Sequence, residues 1–300
     1  MISAEKLAEK IHSLENIAAR GIERRGFKKL HTAGNMVRAT EAIYESHGTI
    51  LITTGFPVPG RIATENDGPP GAAALAYVLC KMGRSVEIIT DIYSRKALET
   101  AIAVLAIDVT ITVWKKDQIA KSADCRHFHA DKYGAFIVIE RPGLAADGKM
   151  YDMQGTELNA EVPSFDILLA IFVNAQKVTV AIGDGGNELG MGGSLREHVR
   201  CEIPMGEVIG ARDAAEFQIL AGVSNWGGWA LAGGLSLLAG QNIMCSPAKM
   251  CALLQALLAI GVFDGYANAL PDTASVDGIV LPVHEEIYSV MYTLCQISRE

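Results

Sequence analysis

The stretch VTVAIGDGGNELGMGG, Val178 to Gly193, constrains this chain more than any other. Val178, Val180 and Ile182 are β-branched and apolar, which suits a buried strand. Six glycines then fall within residues 183–193: Gly183, Gly185, Gly186, Gly190, Gly192 and Gly193. Glycine is costly in regular structure, so this density marks positive backbone angles or close approach of the backbone to a ligand. Asp184, Asn187 and Glu188 stand between the glycines. In open α/β sheets ligands bind beyond the carboxyl ends of the strands, and this loop follows such an end.

The 300 residues are half apolar, enough for one large α/β domain with a substantial core. No run of about 20 uninterrupted apolar residues occurs, which argues against a membrane span. The net charge of −8 disfavours nucleic-acid binding, which relies on basic surface. The N-terminal MISAEKLAEKIHSLENIAAR has no apolar signal core and predicts a cytoplasmic protein. Scattered cysteines without a CxxC pair read as buried thiols. Cys125, His127 and His129 alternate and could share a metal on one strand face, although a polar connector is the plainer reading.

Elements alternate along the chain. An amphipathic helix is predicted over residues 4–20, a second over 36–46, and a buried strand over 49–54. A Gly- and Pro-rich loop then leads into the helix GAAALAYVLCKMG, opened by Pro69 and Pro70. Strands are predicted at 85–90, 109–114 and 135–140, with a helix at 94–105 and another at 161–174. FQILAGVSNWGG (217–228) repeats the strand-then-glycine pattern, and helices at 247–260 and 284–297 close the chain. This alternation predicts a mostly parallel sheet with helices on both faces, a Rossmann-like doubly wound α/β fold. We read residues 1–300 as one domain, with 1–32 as an N-terminal helical extension.

If the strands are parallel, the loops at 55–71, 183–193 and 223–228 meet over one sheet edge. They would ring a pocket for a small anionic ligand with Glu65, Asp67, Asp91, Asp184, Asn187, Glu188 and Asn225, under helix N-termini. Taken singly, Asp67 and Asp184 read equally well as turn formers or helix caps. Trp226 and Trp229 read as core. No lysine follows the loop, as a P-loop requires, and position 188 is Glu where a dinucleotide fingerprint needs Gly.

Three motifs, T-G-F-P (54–57), E-N-D-G-P-P-G-A (65–72) and I-G-D-G-G-N-E-L-G-M-G (182–192), coincide with A-G-V-S-N-W-G-G (221–228). Together they resemble the D-glutamate cyclase C-terminal-domain family over residues 33–297. Asn66 stands where that family usually has threonine. The resemblance implies conversion of D-glutamate into 5-oxo-D-proline and water by a hydro-lyase. Eukaryotic two-domain relatives are mitochondrial and carry a further domain in front.

For that chemistry, Glu188 is the acid/base candidate, and Asp184 and Asp67 would orient the amine or hold a divalent Mg²⁺ or Mn²⁺. Arg61 would pair with the α-carboxylate. Glu65, Asn66, Gly185, Gly186, Asn187, Ser224 and Asn225 complete the substrate-binding set. No nicotinamide or flavin is expected, nor a nucleic-acid or membrane partner, and a homo-oligomer stays open. The alternatives are a nucleotide- or phosphate-binding enzyme and a non-catalytic small-molecule sensor.

Overall fold

Helix α1 (Ala4–Ala18) starts where Ser3 Oγ accepts the Lys6 N–H at 3.3 Å. It buries Ile11, Leu14 and Ala18 at helical spacing. Its one buried acid, Glu15, reaches across to accept the N–H groups of Gly34 (2.8 Å) and Met36 (3.1 Å). A carboxylate there satisfies the free donors at the start of a neighbouring helix. The first residues, read as an extension, thus pack into the main core. The computed structural model describes residues 3–58, 63–116, 128–158, 162–262, 264–265 and 274–297. Arg61, Cys125 and His127 lie outside them.

The chain continues through α2 (Ile22–Arg25), α3 (Asn35–Glu45), β1 (Thr49–Thr54), α4 (Pro69–Lys81), β2 (Val86–Thr90), α5 (Arg95–Leu105) and β3 (Thr110–Val113). It returns to the sheet centre as β4 (Tyr133–Ile139), then α6 (Asp166–Asn174), β5 (Val178–Gly183), α7 (Ser194–Glu202), α8 (Gly206–Ile209) and β6 (Phe217–Leu220). Helices α9 (Ser224–Leu238) and α10 (Pro247–Ala259), the hairpin β7 (Ser275–Val276) and β8 (Ile279–Val280), and α11 (Leu281–Leu294) follow. Helix α6 begins five residues later than its periodicity predicts. Pro163 disfavours helical backbone at Val162, and Ser164 Oγ accepts from Asp166 N at 3.2 Å. Helices α2, α7 and α8 and the β7–β8 hairpin are not among the elements predicted from the sequence.

All six main strands pair in parallel, in the order β3-β2-β1-β4-β5-β6. This is the strand order of dinucleotide-type doubly wound folds, whose ligands bind where the order reverses. Here that point lies between the carboxyl ends of β1 and β4. Alternate side chains sort to opposite faces. Ile50, Ile52, Ile137, Ile139, Val180 and Ile182 join α1, α4, α5 and α9 in one core. Leu51, Phe136, Val138 and Ala181 join α6 and α7 in the other. The predicted α/β fold with helices on both faces is the observed one. No helix among the described residues is long and apolar enough to cross a membrane.

Helices α4 and α9 cross with almost no side chain between them. A Cβ on Gly228 would stand 2.8 Å from Gly71 Cα, and one on Gly71 would stand 3.1 Å from Asn225 Cα. In a solvent-exposed helix, Gly→Ala is stabilising by about 1 kcal/mol. At this crossing the sign reverses, because the methyl meets backbone. Gly228→Ala is expected to lower stability by about 1–3 kcal/mol, read as a fall in the urea midpoint at unchanged m-value.

Candidate active site

The turn after β1 and the start of α9 hold each other. Asp67 accepts the N–H groups of Ser224 (2.8 Å), Asn225 (2.7 Å) and Gly68 (2.9 Å). Asn225 Oδ1 accepts those of Gly68 (3.0 Å) and Gly71 (2.8 Å), while its Nδ2 donates to Asn66 O at 3.0 Å. Each side chain caps the other's helix. The helix N-termini expected to face a ligand therefore face Asp67 and Asn225 instead.

Glu188 binds its own loop. Its carboxylate accepts Asp184 N, Gly185 N and Gly186 N, each at 2.7 Å. A Cβ on Gly183 would lie 2.5 Å from the Glu188 carboxyl carbon, and Gly186 adopts φ +83° with Val199 against it. The glycine density is thus the room needed to wrap three N–H donors round one internal anion. Asn187 Nδ2 donates to Tyr151 O at 2.9 Å.

Arg141, fully buried at the end of β4, joins three strand ends. It donates to Gly55 O (3.1 Å) and Pro163 O (2.7 Å), pairs with Asp91, and lies 4.5 Å over the Phe165 ring. Asp91 is engaged here and caps Tyr93 N at 2.8 Å. The residue before Arg141 is Glu140, with φ +45°. A bulky residue in that region is strained, and such outliers gather at functional sites. Glu140 leaves the strand at the β1/β4 reversal and accepts Ser224 Oγ–H at 2.5 Å.

Beside it opens a cavity of about 650 Å³ whose wall includes Arg24, Arg25, Glu65, Glu140, Asp184, Asn187 and Asp277, with Phe56 and Met153 among its apolar residues. Arg25, carried by α2, forms ion pairs with both Asp184 and Asp277. Asp277 comes from the β7–β8 turn, held by Asn66 Nδ2 donating to Ser275 O at 2.7 Å and by Arg24 donating to Asp277 O at 2.8 Å. His284 braces the same turn. The Trp226 indole N–H donates to its Nδ1 at 2.9 Å, so the proton sits on Nε2 and points at Val276 O and Ile279 O.

Of the residues picked from the sequence, Glu65, Asp184 and Asn187 line the cavity, whereas Asp67, Asn66, Glu188, Ser224 and Asn225 stand behind its wall. Gly185 and Gly186 contribute N–H groups to Glu188. Arg24, Arg25, Glu140 and Asp277 were missed. Asp277-Gly278 between β-branched residues is a hairpin signal that could have placed the last of them.

Burial, then Glu188, Asp67, Glu65 and Asp277 around it, push Glu140 well above the usual carboxylate range. Burial and Asp277 do the same to Glu65, and burial raises Asp184 against the pull of Arg25. Burial works in the same direction on Asp277, but Arg25 and a hydrogen bond from Asp184 hold it low. Burial alone would depress Arg25, yet Asp184, Asp277 and Glu140 keep it firmly charged. Oxygens of Asp67, Glu140 and Asp184 come within 4.8 Å of one another. Three converging buried carboxylates are hard oxygen donors of the kind Mg²⁺ or Mn²⁺ accepts.

Two outcomes follow. Glu188→Gln puts an amide NH₂ where an acceptor is needed and leaves one buried N–H unpaired. A loss of about 1–3 kcal/mol is expected in urea unfolding. Glu140, with its folded-state pKa above the unfolded value, binds more protons when folded. Its contribution is complete below the unfolded pKa and is lost as pH rises through the folded one. Glu140→Gln should flatten the fall in urea midpoint as pH rises above the ordinary carboxylate range; equal slopes in both proteins would contradict the assignment.

A family model described as D-glutamate cyclase-like, C-terminal, matches residues 14–291. Mitochondrial D-glutamate cyclase of Homo sapiens is 34% identical over 253 residues, which is 79% of this chain and 40% of that protein. The chain therefore spans less than half the length of this curated relative.

Proposed function

The chain belongs to the D-glutamate cyclase-like family, and from that premise we propose that its cavity closes D-glutamate onto itself, giving 5-oxo-D-proline and water. The observation that carries this reading is the pairing, in one cavity, of two guanidinium groups with a buried carboxyl pushed well above the usual carboxylate range. A hydro-lyase acting on a small dicarboxylate needs both.

In the reaction the α-amine attacks the γ-carboxyl carbon, the C–N bond forms, and one C–O bond breaks. The ammonium loses two protons and the departing oxygen gains two, so no outside reagent is required. Arg24 and Arg25 would take the α-carboxylate through planar, charge-assisted bonds. Arg61 lies outside the described residues and keeps its proposed place in the same role. Asp277, the acid that Arg25 holds low, would receive the ammonium proton and pass it on through Asp184. Glu140 would donate to the γ-carboxyl oxygen and then be recharged through Asp184. This assigns to Glu140 the acid role that Glu188 held on sequence grounds, because the Glu188 oxygens are already bound to three N–H groups. Glu65 and Asn187 face the substrate. Holding amine and carboxyl of one molecule in a curled conformer supplies further acceleration.

The convergence of Asp67, Glu140 and Asp184 favours one variant of this reading. Those three would hold a Mg²⁺ or Mn²⁺ ion, which when bound supplies Lewis-acid polarisation of a carboxyl oxygen. A proton and a cation are competing ways of neutralising the same cluster. The phosphate-binding alternative loses its basis, since the loop donors already bind Glu188. No nicotinamide or flavin enters the proposed chemistry.

The purified chain incubated with D-glutamate should release 5-oxoproline, and Glu140→Gln should reduce kcat by about 10²–10⁴-fold. Turnover that persists in EDTA supports the proton on Glu140, and turnover restored only by Mn²⁺ or Mg²⁺ replaces it with the cation. A sensor would bind D-glutamate, raising Tm, without product. Absence of product from the wild type with and without added metal would end the cyclase proposal for this chain.

A further inference from the structure

A second cluster of ligating groups lies away from the cavity, where α7 meets the segment between α2 and α3. His198 and Glu202 are one turn apart on α7, and His31 reaches them from that segment. His31 Nε2 is 3.1 Å from both Glu202 oxygens, and His198 Nδ1 is 3.9 Å from Glu202 Oε1. The three ligand atoms fall within 4.8 Å of one another. The two imidazoles stack with centroids 3.6 Å apart and planes at 20°.

We propose that His31, His198 and Glu202 form a binding site for one borderline divalent transition-metal ion of the zinc class. Two imidazole nitrogens and a carboxylate are the donors such ions select over Mg²⁺ or Ca²⁺. With bonds of about 2.0–2.2 Å, two ligands on one ion stand at most about 4.2 Å apart. The two measured separations to Glu202 already satisfy that limit. The His198 side chain is 43% exposed and would rotate out of the stack for both imidazole nitrogens to meet one ion, whereas His31 is 4% exposed and set in place.

The surroundings are those of a supported ligand set. The Lys28 N–H donates to Glu202 Oε2 at 2.9 Å, which orients the carboxylate and leaves Oε1 facing the histidines. Phe27 packs edge-on to the His31 ring at a centroid distance of 6.3 Å. Three protein ligands leave a fourth position for water.

The consequence reaches the cavity. Gly26 directly follows Arg25, and a Cβ there would sit 3.1 Å from Glu202 O, so the α2 end already lies against the end of α7. An ion joining His31 to His198 and Glu202 would clasp this junction and hold Arg24 and Arg25 at the cavity wall.

Zinc titration followed by calorimetry, with Co²⁺ absorption as a spectroscopic reporter of nitrogen ligation, tests the site on the whole chain. One ion per chain is expected at micromolar Kd or tighter, with Tm rising by about 5 °C at hundredfold excess over Kd. His198→Ala, at an exposed position, should keep the metal-free Tm and weaken binding at least tenfold. Glu202→Gln should weaken it similarly. Cys201→Ser and Asp184→Asn should leave this binding event intact, separating it from the nearby thiol and from the acidic cluster. Absence of stoichiometric Zn²⁺ binding, or binding indifferent to both His198→Ala and Glu202→Gln, would overturn the proposal. These readouts are independent of turnover, so they stand or fall apart from the cyclase reading.

Discussion

The reciprocal clasp of Asp67 and Asn225 governs how this sheet edge is built. Two helices begin at neighbouring strand ends, and each presents free N–H donors that burial would leave unsatisfied. Asp67 takes two of them across the interface and the Gly68 N–H of its own turn, and Asn225 takes two across it in return. That exchange is possible only if the helices approach until Gly71 and Gly228 touch. The motifs E-N-D-G-P-P-G and S-N-W-G-G are therefore two halves of one contact. Removing either half would strand buried donors in the other.

The glycine loop obeys the same rule with a different partner. Its three leading N–H groups would form an anion cradle in an empty loop. Glu188 supplies the anion from within, so the loop is rigid before any ligand arrives. With its N–H donors directed inward, the loop turns the Asp184 side chain to Arg25 and the cavity. A phosphate loop offers backbone to its ligand, whereas this one offers a side chain.

Much of the fold was legible because it rests on short-range pattern. Strand positions, alternation with helices and the shared carboxyl edge all follow from apolar periodicity and turn residues, and each is observed. The site was legible only in part. Asp184, Glu65 and Asn187 stand out by lying among glycines or prolines, and they do line the cavity. Asp67, Glu188 and Asn225 stand out for the same reason, yet their oxygens answer backbone donors, a distinction that depends on which way a turn closes. Glu140 was hidden as the last residue of a predicted strand, and only its φ of +45° separates it. Arg25 and Asp277 lie some 250 residues apart in sequence, so no local pattern joins them.

That separation bears on how the charge balance is reached. The parallel sheet and its loops bring Asp67, Glu140 and Asp184 together, a grouping that ionised carboxylates would resist. The compensating guanidinium arrives from α2, before the first strand, and its second partner from the hairpin after α10. The central fold thus creates a deficit of positive charge that Arg25 corrects in part, while Asp277 adds a further negative charge beside it. Arg25 settles Asp277 and part of Asp184, leaving Glu140 without a cation of its own and shut away from water. A proton or a bound cation must supply the remainder. The same scarcity of positive charge that makes Glu140 costly to ionise is what suits it to the proton donation proposed for it.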